Sequence, residues 1–229
     1  MGVSDCGPAR VDINDAGSVR TALDRYRPWA VVNAAGYTAL GLAEQEAFLC
    51  LCENAVGPGV LAAACDDRGI RLAVFSSSLV FEGSRGTASR IESRSRQSRR
   101  TYGRSTIAME DRVLRRAQDA LIVRSGPRFG PWDDRNFVTG ASRGVAAGED
   151  VLAPTDEYLS PVYLPDFSNA VLDLLIDSED GIRHVVHAGT EGSDVCSRCR
   201  VIRHVAGCAD LDRRRVRDVI LDDAGGPTP

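Results

Sequence analysis

The chain has 229 residues, with 28 basic and 32 acidic side chains and a net charge of −4. All of the basic side chains are arginine, which excludes chemistry that needs a lysine amine, such as Schiff-base formation or a Walker-A phosphate site. Its 43% hydrophobic content suits a globular chain, and without a long uninterrupted apolar run or a secretory signal we expect a cytoplasmic protein with reduced cysteines and no membrane span.

Short apolar runs alternate with helical patterns along the chain. Strands are predicted at residues 11–15, 30–36, 71–76, 120–124 and 183–188. Helices are predicted at residues 16–26, 43–68 with a break near Gly57-Pro58-Gly59, 101–117, 136–147, 164–176 and 195–206. This alternation is typical of a doubly wound α/β fold around a parallel sheet.

Two stretches have a composition that could bind a ligand. Residues 84–104 hold seven arginines and one acid, which suits either a solvated loop or contact with an anion or phosphate. Nucleic acid is not favoured, since Tyr102 is the one aromatic that could stack on a base. A second group lies on a predicted helix rather than on the knuckles that structural zinc sites use, so we predict no metal there: Cys196, Cys199, His204 and Cys208.

Three ordered segments resemble the motifs of one family. The segment Asn33-Ala34-Ala35-Gly36-Tyr37-Thr38, followed by Ala43-Glu44, is similar to Asn-Ala-Ala-x-Tyr-Thr-x-x-Asp-x-Ala-Glu. Ser76-Ser77-Ser78-Leu79-Val80-Phe81-Glu82-Gly83 is similar to Ser-Thr-Asp-Tyr-Val-Phe-Asp-Gly. Tyr102-Gly103-Arg104-Ser105-Thr106, with Glu110, is similar to Tyr-Gly-x-Ser-Lys-x-x-x-Glu. Together they resemble the extended short-chain dehydrogenases/reductases, specifically the dTDP-4-dehydrorhamnose reductase group.

The resemblance implies a reductase of nucleotide-linked 4-keto-6-deoxysugars that uses NADP or NAD. In that chemistry a tyrosine protonates the developing alkoxide and a Ser or Thr hydroxyl holds the same oxygen, and the matching residues are Tyr102 and Ser77. The resemblance also implies cofactor contacts at Asp12, Ile13, Gly36, Tyr37 and Thr38, and substrate contacts at Ser77, Ser78 and Asn136.

Two departures from the family pattern bear on activity. Thr106 stands where the family has the lysine that lowers the pKa of the tyrosine and holds the nicotinamide ribose, so we expect weak proton donation. No glycine-rich turn that would cradle a pyrophosphate precedes Val11. We therefore expect a Rossmann-like sheet that lacks its first β-α-β unit and has an exposed edge, which a second copy of the chain or an upstream fused domain would cover.

These expectations define a domain plan and three hypotheses on function. Residues 1–150 are assigned to a truncated NAD(P)-binding domain, 151–220 to a small substrate-binding part, and 221–229 to a disordered tail. The first hypothesis is a reductase of the family type that is impaired or inactive as this chain alone. The alternatives are a non-catalytic protein that binds a nucleotide sugar or regulates a partner, and a fragment of a longer fusion enzyme.

Overall fold

The structure is a computed structural model. It describes residues 11–81, 95–130, 132, 137–149, 151–154, 162–186 and 216–219. The chain divides into two compact units, of which one comprises Met1–Arg124 with Val171–His184 and the other Ser125–Ala170 with Val185–Pro229.

The elements are numbered in chain order. The strands are β1 Ala30–Asn33, β2 Arg71–Ser77, β3 Leu121–Ser125, β4 Arg128–Phe129, β5 Val151–Pro154, β6 Val162–Tyr163, β7 Gly181–His184 and β8 Val216–Val219. The helices are α1 Ala16–Tyr26, α2 Ala47–Leu51, α3 Gly57–Asp66, α4 Thr101–Arg116, α5 Phe137–Ala146 and α6 Leu164–Ile176. A π-helical turn, Cys52–Val56, joins α2 to α3, and short 3-10 helices lie at Leu40–Leu42 and Ser78–Val80.

A four-stranded sheet in the order β1–β2–β3–β7 forms the centre of the first unit. Strands β1 and β2 pair in parallel, with Val31 opposite Leu72, and β3 and β7 pair in parallel, with Val123 opposite Arg183. Every residue of β3 is buried, as expected for an inner strand that is covered on both faces. The predicted fold class, an α/β Rossmann-like parallel sheet, is confirmed.

Helices α1, α3 and α4 supply most of the core that covers this sheet. One buried cluster contains side chains from α1, α3, β2, α4 and β3, namely Val19, Leu61, Val74, Val113 and Ile122. The apolar positions that recur at helical spacing in the sequence therefore face the sheet, where burial of each large aliphatic side chain contributes about 1.5–3 kcal/mol.

The predicted first strand at residues 11–15 is wrong, because the structure has a turn there. The Asp12 carboxylate accepts a hydrogen bond from the backbone N–H of Asn14 at 2.9 Å. Asp15 accepts one from the N–H of Gly17 at 2.8 Å and thereby caps α1. Short polar side chains that bond to nearby backbone groups favour turns and helix caps over strands.

The predicted helix break at Gly57-Pro58-Gly59 is also wrong, since the chain is helical throughout Ala47–Asp66. The π-helical turn comes immediately before α3 and leaves Pro58 in the first turn of that helix. There the missing N–H and the fixed φ of proline are tolerated.

The same helix, Ala47–Asp66, is long and apolar enough to span a membrane, with a mean hydropathy of 1.5 in its most apolar window. The sequence has no uninterrupted apolar run of this length, since Glu53 and Asn54 lie within the helix, but these two residues do not lower the average hydropathy below the criterion. Half of that window is buried inside the protein. Packing in the core accounts for this apolar composition.

The second unit contains two short parallel strand pairs, β4 with β6 and β5 with β8. The Arg128 guanidinium lies 5.5 Å from the centre of the Phe167 ring, and the rings of Phe129 and Tyr163 are 5.6 Å apart. The assignment of residues 151–220 to substrate binding stays a prediction. The predicted helix at 195–206 and the predicted tail at 221–229 lie outside the described residues.

Candidate active site

Tyr102, the predicted proton donor, is the second residue of α4, and this first turn is capped by a distant carboxylate. One oxygen of Glu44 accepts the backbone N–H of Thr101 at 2.8 Å, and the other accepts the Thr101 hydroxyl at 2.6 Å. These two bonds, the hydroxyl first, hold the pKa of Glu44 below its ordinary value. An ionised carboxylate at a helix N-terminus also interacts favourably with the helix dipole.

The Tyr102 ring packs against a small buried cluster formed by Tyr37, Ala43 and Cys50. The Tyr37 hydroxyl donates to Glu46 Oε2 at 2.7 Å. Burial, and then this bond to a carboxylate, raise the pKa of Tyr37 to about 12. Tyr37 is therefore neutral at physiological pH and serves as a packed hydrogen-bond donor to Glu46.

Ser77 and Ser78 lie at the carboxyl end of β2, beside the first turn of α4. The Ser77 hydroxyl accepts the backbone N–H of Leu79 at 3.2 Å, which caps the following 3-10 helix. A side chain at Gly103 would collide with the Leu79 carbonyl oxygen and with Ser98. The glycine next to Tyr102 therefore lets α4 approach the segment that carries Ser77 and Ser78.

Thr106, at the position of the family's lysine, points its hydroxyl back along its own helix. Its Oγ1 donates to the Tyr102 carbonyl at 3.0 Å, and the residue is 4% exposed. The nearby Arg104 donates to the Thr101 hydroxyl at 2.9 Å and helps to lower the pKa of Glu44. Its guanidinium is thus directed to the capping group of α4, and position 106 supplies no charge.

The predicted cofactor contacts lie near one stretch of helix. Gly36 is so close to the Asn54 side chain that an added Cβ would be 2.9 Å from Asn54 Oδ1. Tyr37 is buried and Thr38 is exposed on the loop that follows β1. In parallel α/β sheets, ligands bind outside the carboxyl ends of the strands, and this loop has that position.

The other predicted cofactor contacts, Asp12 and Ile13, lie in the turn before α1. A Cβ at Gly57 would be 2.7 Å from Ile13 Cγ1, so Ile13 packs on the beginning of α3. The Asp12 carboxylate is exposed and bonds to the N–H of Asn14. Asn54 and Gly57 are three residues apart, which places both sets of predicted contacts beside the same part of the helix.

Asn54 connects these segments, and the sequence reasoning missed it. Its Oδ1 accepts the Tyr37 N–H at 2.8 Å, and its Nδ2 donates to Ser105 Oγ at 3.1 Å. Ser105 in turn donates to the Tyr102 carbonyl at 2.7 Å. A polar Asn54 inside a long apolar helical pattern is the signal that could have identified it.

A buried charged cluster lies farther along α4; the motif includes its Glu110, but the pairing with Arg124 was not predicted. Glu110 is fully buried and accepts two hydrogen bonds from the nearly buried Arg124, at 2.8 and 2.7 Å. The Ser76 hydroxyl also donates to Glu110, and Arg96 bridges Glu110 and Asp111 at 2.9 and 2.7 Å. Burial opposes ionisation, but the bonds from Arg124 and Ser76 outweigh it and lower the pKa of Glu110.

Part of the predicted chemistry falls where the structure gives no description. Three parts lie outside the described residues: Asn136, the cysteines and histidine of the excluded zinc site, and residues 84–94 of the arginine-rich stretch. Within the residues that are described, no group of three or more His, Cys, Asp or Glu side chains is arranged to hold a metal ion.

Comparison with known proteins finds one family for almost the whole chain. The model of the family described as RmlD substrate binding domain matches residues 1–227. The chain is 34% identical over 182 residues to the dTDP-4-keto-6-deoxy-D-glucose reductase of Streptomyces niveus, covering 78% of this chain and 62% of that protein. It is 32% identical over 226 residues to a probable low-salt glycan biosynthesis reductase of Haloferax volcanii, covering 93% and 75% respectively.

The fold also matches solved reductases. The dTDP-4-dehydrorhamnose reductase of Bacillus anthracis, solved in complex with NADP, superposes with a TM-score of 0.81 at 26% identity, over 92% of this chain and 72% of that one. The chain spans about two thirds of the length of the two relatives from Streptomyces and Haloferax.

Proposed function

We propose, from the premise that this chain belongs to the RmlD substrate-binding domain family, that it binds a dTDP-linked 4-keto-6-deoxysugar and reduces the keto group slowly. The predicted resemblance to the dTDP-4-dehydrorhamnose reductases is confirmed. The names of the relatives support the substrate class, and the NADP held by the Bacillus anthracis reductase supports NADP as the cofactor. We expect a cytoplasmic reaction.

The observation that carries the proposal is the close approach of α4 to the end of β2. Gly103 lets the turn that bears Tyr102 pack against the segment that bears Ser77. A phenol and a hydroxyl from these two segments can serve one carbonyl oxygen, with Tyr102 donating the proton and Ser77 a hydrogen bond. The cofactor, when bound, supplies the hydride to the keto carbon. In the loop predicted to contact the cofactor, Gly36 presents its backbone without a side chain.

The slow rate follows from the turn after Tyr102. The Thr106 hydroxyl is bonded to the Tyr102 carbonyl and carries no charge. Without a cation at that position the helix supplies no charge to stabilise the phenolate that forms when the proton is given up, and proton transfer is slow. This feature also favours a second candidate function, a nucleotide-sugar-binding protein without turnover.

The proposal is tested with the full chain in two assays. Calorimetric titration with dTDP measures nucleotide binding, and oxidation of NADPH in the presence of dTDP-4-dehydrorhamnose measures reduction. We expect dTDP to bind, and turnover to be at least about 10²-fold below that of the Streptomyces niveus reductase on its own substrate, since positioned acid–base catalysis typically contributes 10²–10⁴-fold.

Substitution of the proton donor separates the outcomes. Tyr102→Phe should abolish the residual turnover and leave dTDP affinity within about twofold, whereas Tyr26→Phe, at the end of α1, should change neither. Binding without turnover in the unmodified chain would support the second candidate function. Absence of dTDP binding would contradict both, and full turnover in Tyr102→Phe would remove that residue from the mechanism.

A further inference from the structure

The first turn of α4 depends on a cap from outside the helix. Its own N-cap residue, Arg100, has extended backbone angles and, within the described part of the chain, makes no side-chain capping bond. Glu44, 57 residues earlier, accepts both the N–H and the hydroxyl of Thr101. The donors at a helix N-terminus have no partner within the helix, so a segment distant in sequence satisfies the turn that carries Tyr102.

The segment that supplies this cap also contacts the Tyr102 ring. Ala43, next to Glu44, belongs with Tyr37 and Cys50 to the cluster on which that ring packs. At Gly103, the residue after Tyr102, Leu79 and Ser98 leave no room even for a Cβ. The helix start is therefore held between the 37–46 segment and the end of β2, with little free space for it to shift.

The 37–46 segment is joined to the predicted cofactor loop as well. Tyr37 donates through its hydroxyl to Glu46 and through its N–H to Asn54, which bonds onward to Ser105 on α4. The Tyr37 N–H in this loop and the first two turns of α4 thus share one set of hydrogen bonds. Glu44 stands apart from that set and binds at Thr101, the residue immediately before Tyr102.

We propose that Glu44 is a positioning residue: through Thr101 it holds Tyr102 in its working pose, beside the cluster of Tyr37 and Ala43. The role of Tyr102 in this statement rests on the proposed function. Loss of the Glu44 carboxylate leaves two donors of Thr101 to water and allows the first turn to fray. A displacement of about 1 Å in a reacting group can cost about 10²-fold in rate.

The direct test follows the Tyr102 ring itself in the full chain labelled with 3-fluorotyrosine. The ¹⁹F resonance that disappears in Tyr102→Phe identifies this residue. We expect Glu44→Ala to shift or broaden that resonance, and Gln45→Ala, an exposed neighbour in the same segment, to leave it unchanged.

A pair of substitutions at the partner residue separates positioning from general loss of structure. Thr101→Ser keeps both the N–H and the hydroxyl that Glu44 accepts, so its Tyr102 resonance should match the unmodified chain. Thr101→Val removes the hydroxyl alone and should give part of the change seen in Glu44→Ala. If Glu44→Ala does not fold, this pair of variants still shows whether the Glu44 cap positions Tyr102.

The turnover assay adds a second readout. In Glu44→Ala we expect kcat to fall at least tenfold while KM for the sugar nucleotide stays within about twofold. An unchanged Tyr102 resonance in a folded Glu44→Ala protein, or equal spectra for Thr101→Val and Thr101→Ser, would overturn the proposal. Failure of the proposed function would instead appear as absence of dTDP binding by the unmodified chain. The ¹⁹F experiment needs no bound dTDP, so the two failures can be told apart.

Discussion

Helix α4 carries two polar turns that are built in opposite ways. Around Glu110, a fully buried carboxylate is matched by the guanidinium of Arg124 and by the bridging Arg96. Around Thr106, one turn earlier, a buried hydroxyl bonds back to the Tyr102 carbonyl and no charge is present at that position. Charged side chains, Glu110 and Arg124, thus join α4 to β3, whereas position 106, from which a charge could act on the Tyr102 hydroxyl, has none.

This difference separates the stability of the site from its reactivity. A buried carboxylate without a partner strongly destabilises the folded state. The stability of the fold is therefore sufficient reason for Glu110 and Arg124 to occur together. A neutral Thr106 costs the fold little, because its hydroxyl finds a partner within its own helix. The candidate site can therefore remain well formed although position 106 supplies no charge.

The largest expected effect is at the charged turn. Glu110→Gln removes the charge that pairs with Arg124 and should lower the free energy of unfolding by about 3–5 kcal/mol, the usual cost of breaking a buried ion pair. The measurement is urea denaturation followed by circular dichroism.

The matched control is Glu179→Gln, which removes the carboxylate of the half-exposed Arg183–Glu179 pair on the surface. We expect a change of about 0.5 kcal/mol or less. Equal losses in the two variants would show that burial does not distinguish these ion pairs. The buried charge at Glu110 would then have no special weight in the stability of α4.

A somewhat smaller effect is expected at the Tyr102 turn. Gly103→Ala forces a methyl group against the Leu79 carbonyl and should lower the free energy of unfolding by about 1–3 kcal/mol. Gly140→Ala, in α5 with open space around it, is the matched control and should raise stability by about 0.5–1 kcal/mol. A stabilised Gly103→Ala protein would mean that α4 does not approach the end of β2 so closely.

The periodicity of the sequence was enough to find most of the fold. Residues 164–176 were predicted as a helix and form α6 with the same limits, and the strand at 71–76 differs from β2 by one residue. The errors, at 11–15 and at Gly57-Pro58-Gly59, arise where local preference and tertiary context disagree. An apolar residue among turn formers suggested a strand, and a π-helical turn let the helix pass a proline.

The candidate site was only partly predictable for a related reason. Motif spacing located Tyr102, Thr106 and Ser77, because these residues are recognised by neighbours along the chain. The pair Glu110–Arg124 and the bridge from Asn54 to Ser105 join residues 14 and 51 positions apart. No local period marks such partners, and they become visible when the helices pack.

Substitution of Arg96 shows whether this residue contributes as much to stability as the buried pair Glu110–Arg124. Arg96 is about a quarter exposed, and Glu110 has two further hydrogen bonds from Arg124 that do not involve Arg96. Arg96→Met removes two hydrogen bonds, to Glu110 and Asp111, and should lower the free energy of unfolding by about 1 kcal/mol, since a typical bond contributes about 0.5–1.5 kcal/mol net. Arg115→Met, on an exposed position of α4, is the comparison. A loss as large as that of Glu110→Gln would make Arg96 an integral part of the buried pair.

The smallest effect is a pH dependence that compares the two carboxylates on which α4 relies. The pKa values of Glu44 and Glu110 are both lower in the folded protein than their ordinary value. Each carboxylate therefore contributes stability that is fully present above about pH 4.3 and is lost as the pH falls through the folded-state pKa. Glu44→Gln should flatten the acid limb of a plot of unfolding free energy against pH and leave the neutral region almost unchanged, because an amide oxygen still accepts the Thr101 N–H. The measurement is urea denaturation at a series of pH values from about 3 to 7, a range that includes the ordinary pKa values of carboxylates. An acid limb as steep as that of the unmodified chain would show that the Glu44 cap does not depend on its charge, and that the first turn of α4, unlike the turn at Glu110, is held by neutral hydrogen bonds alone.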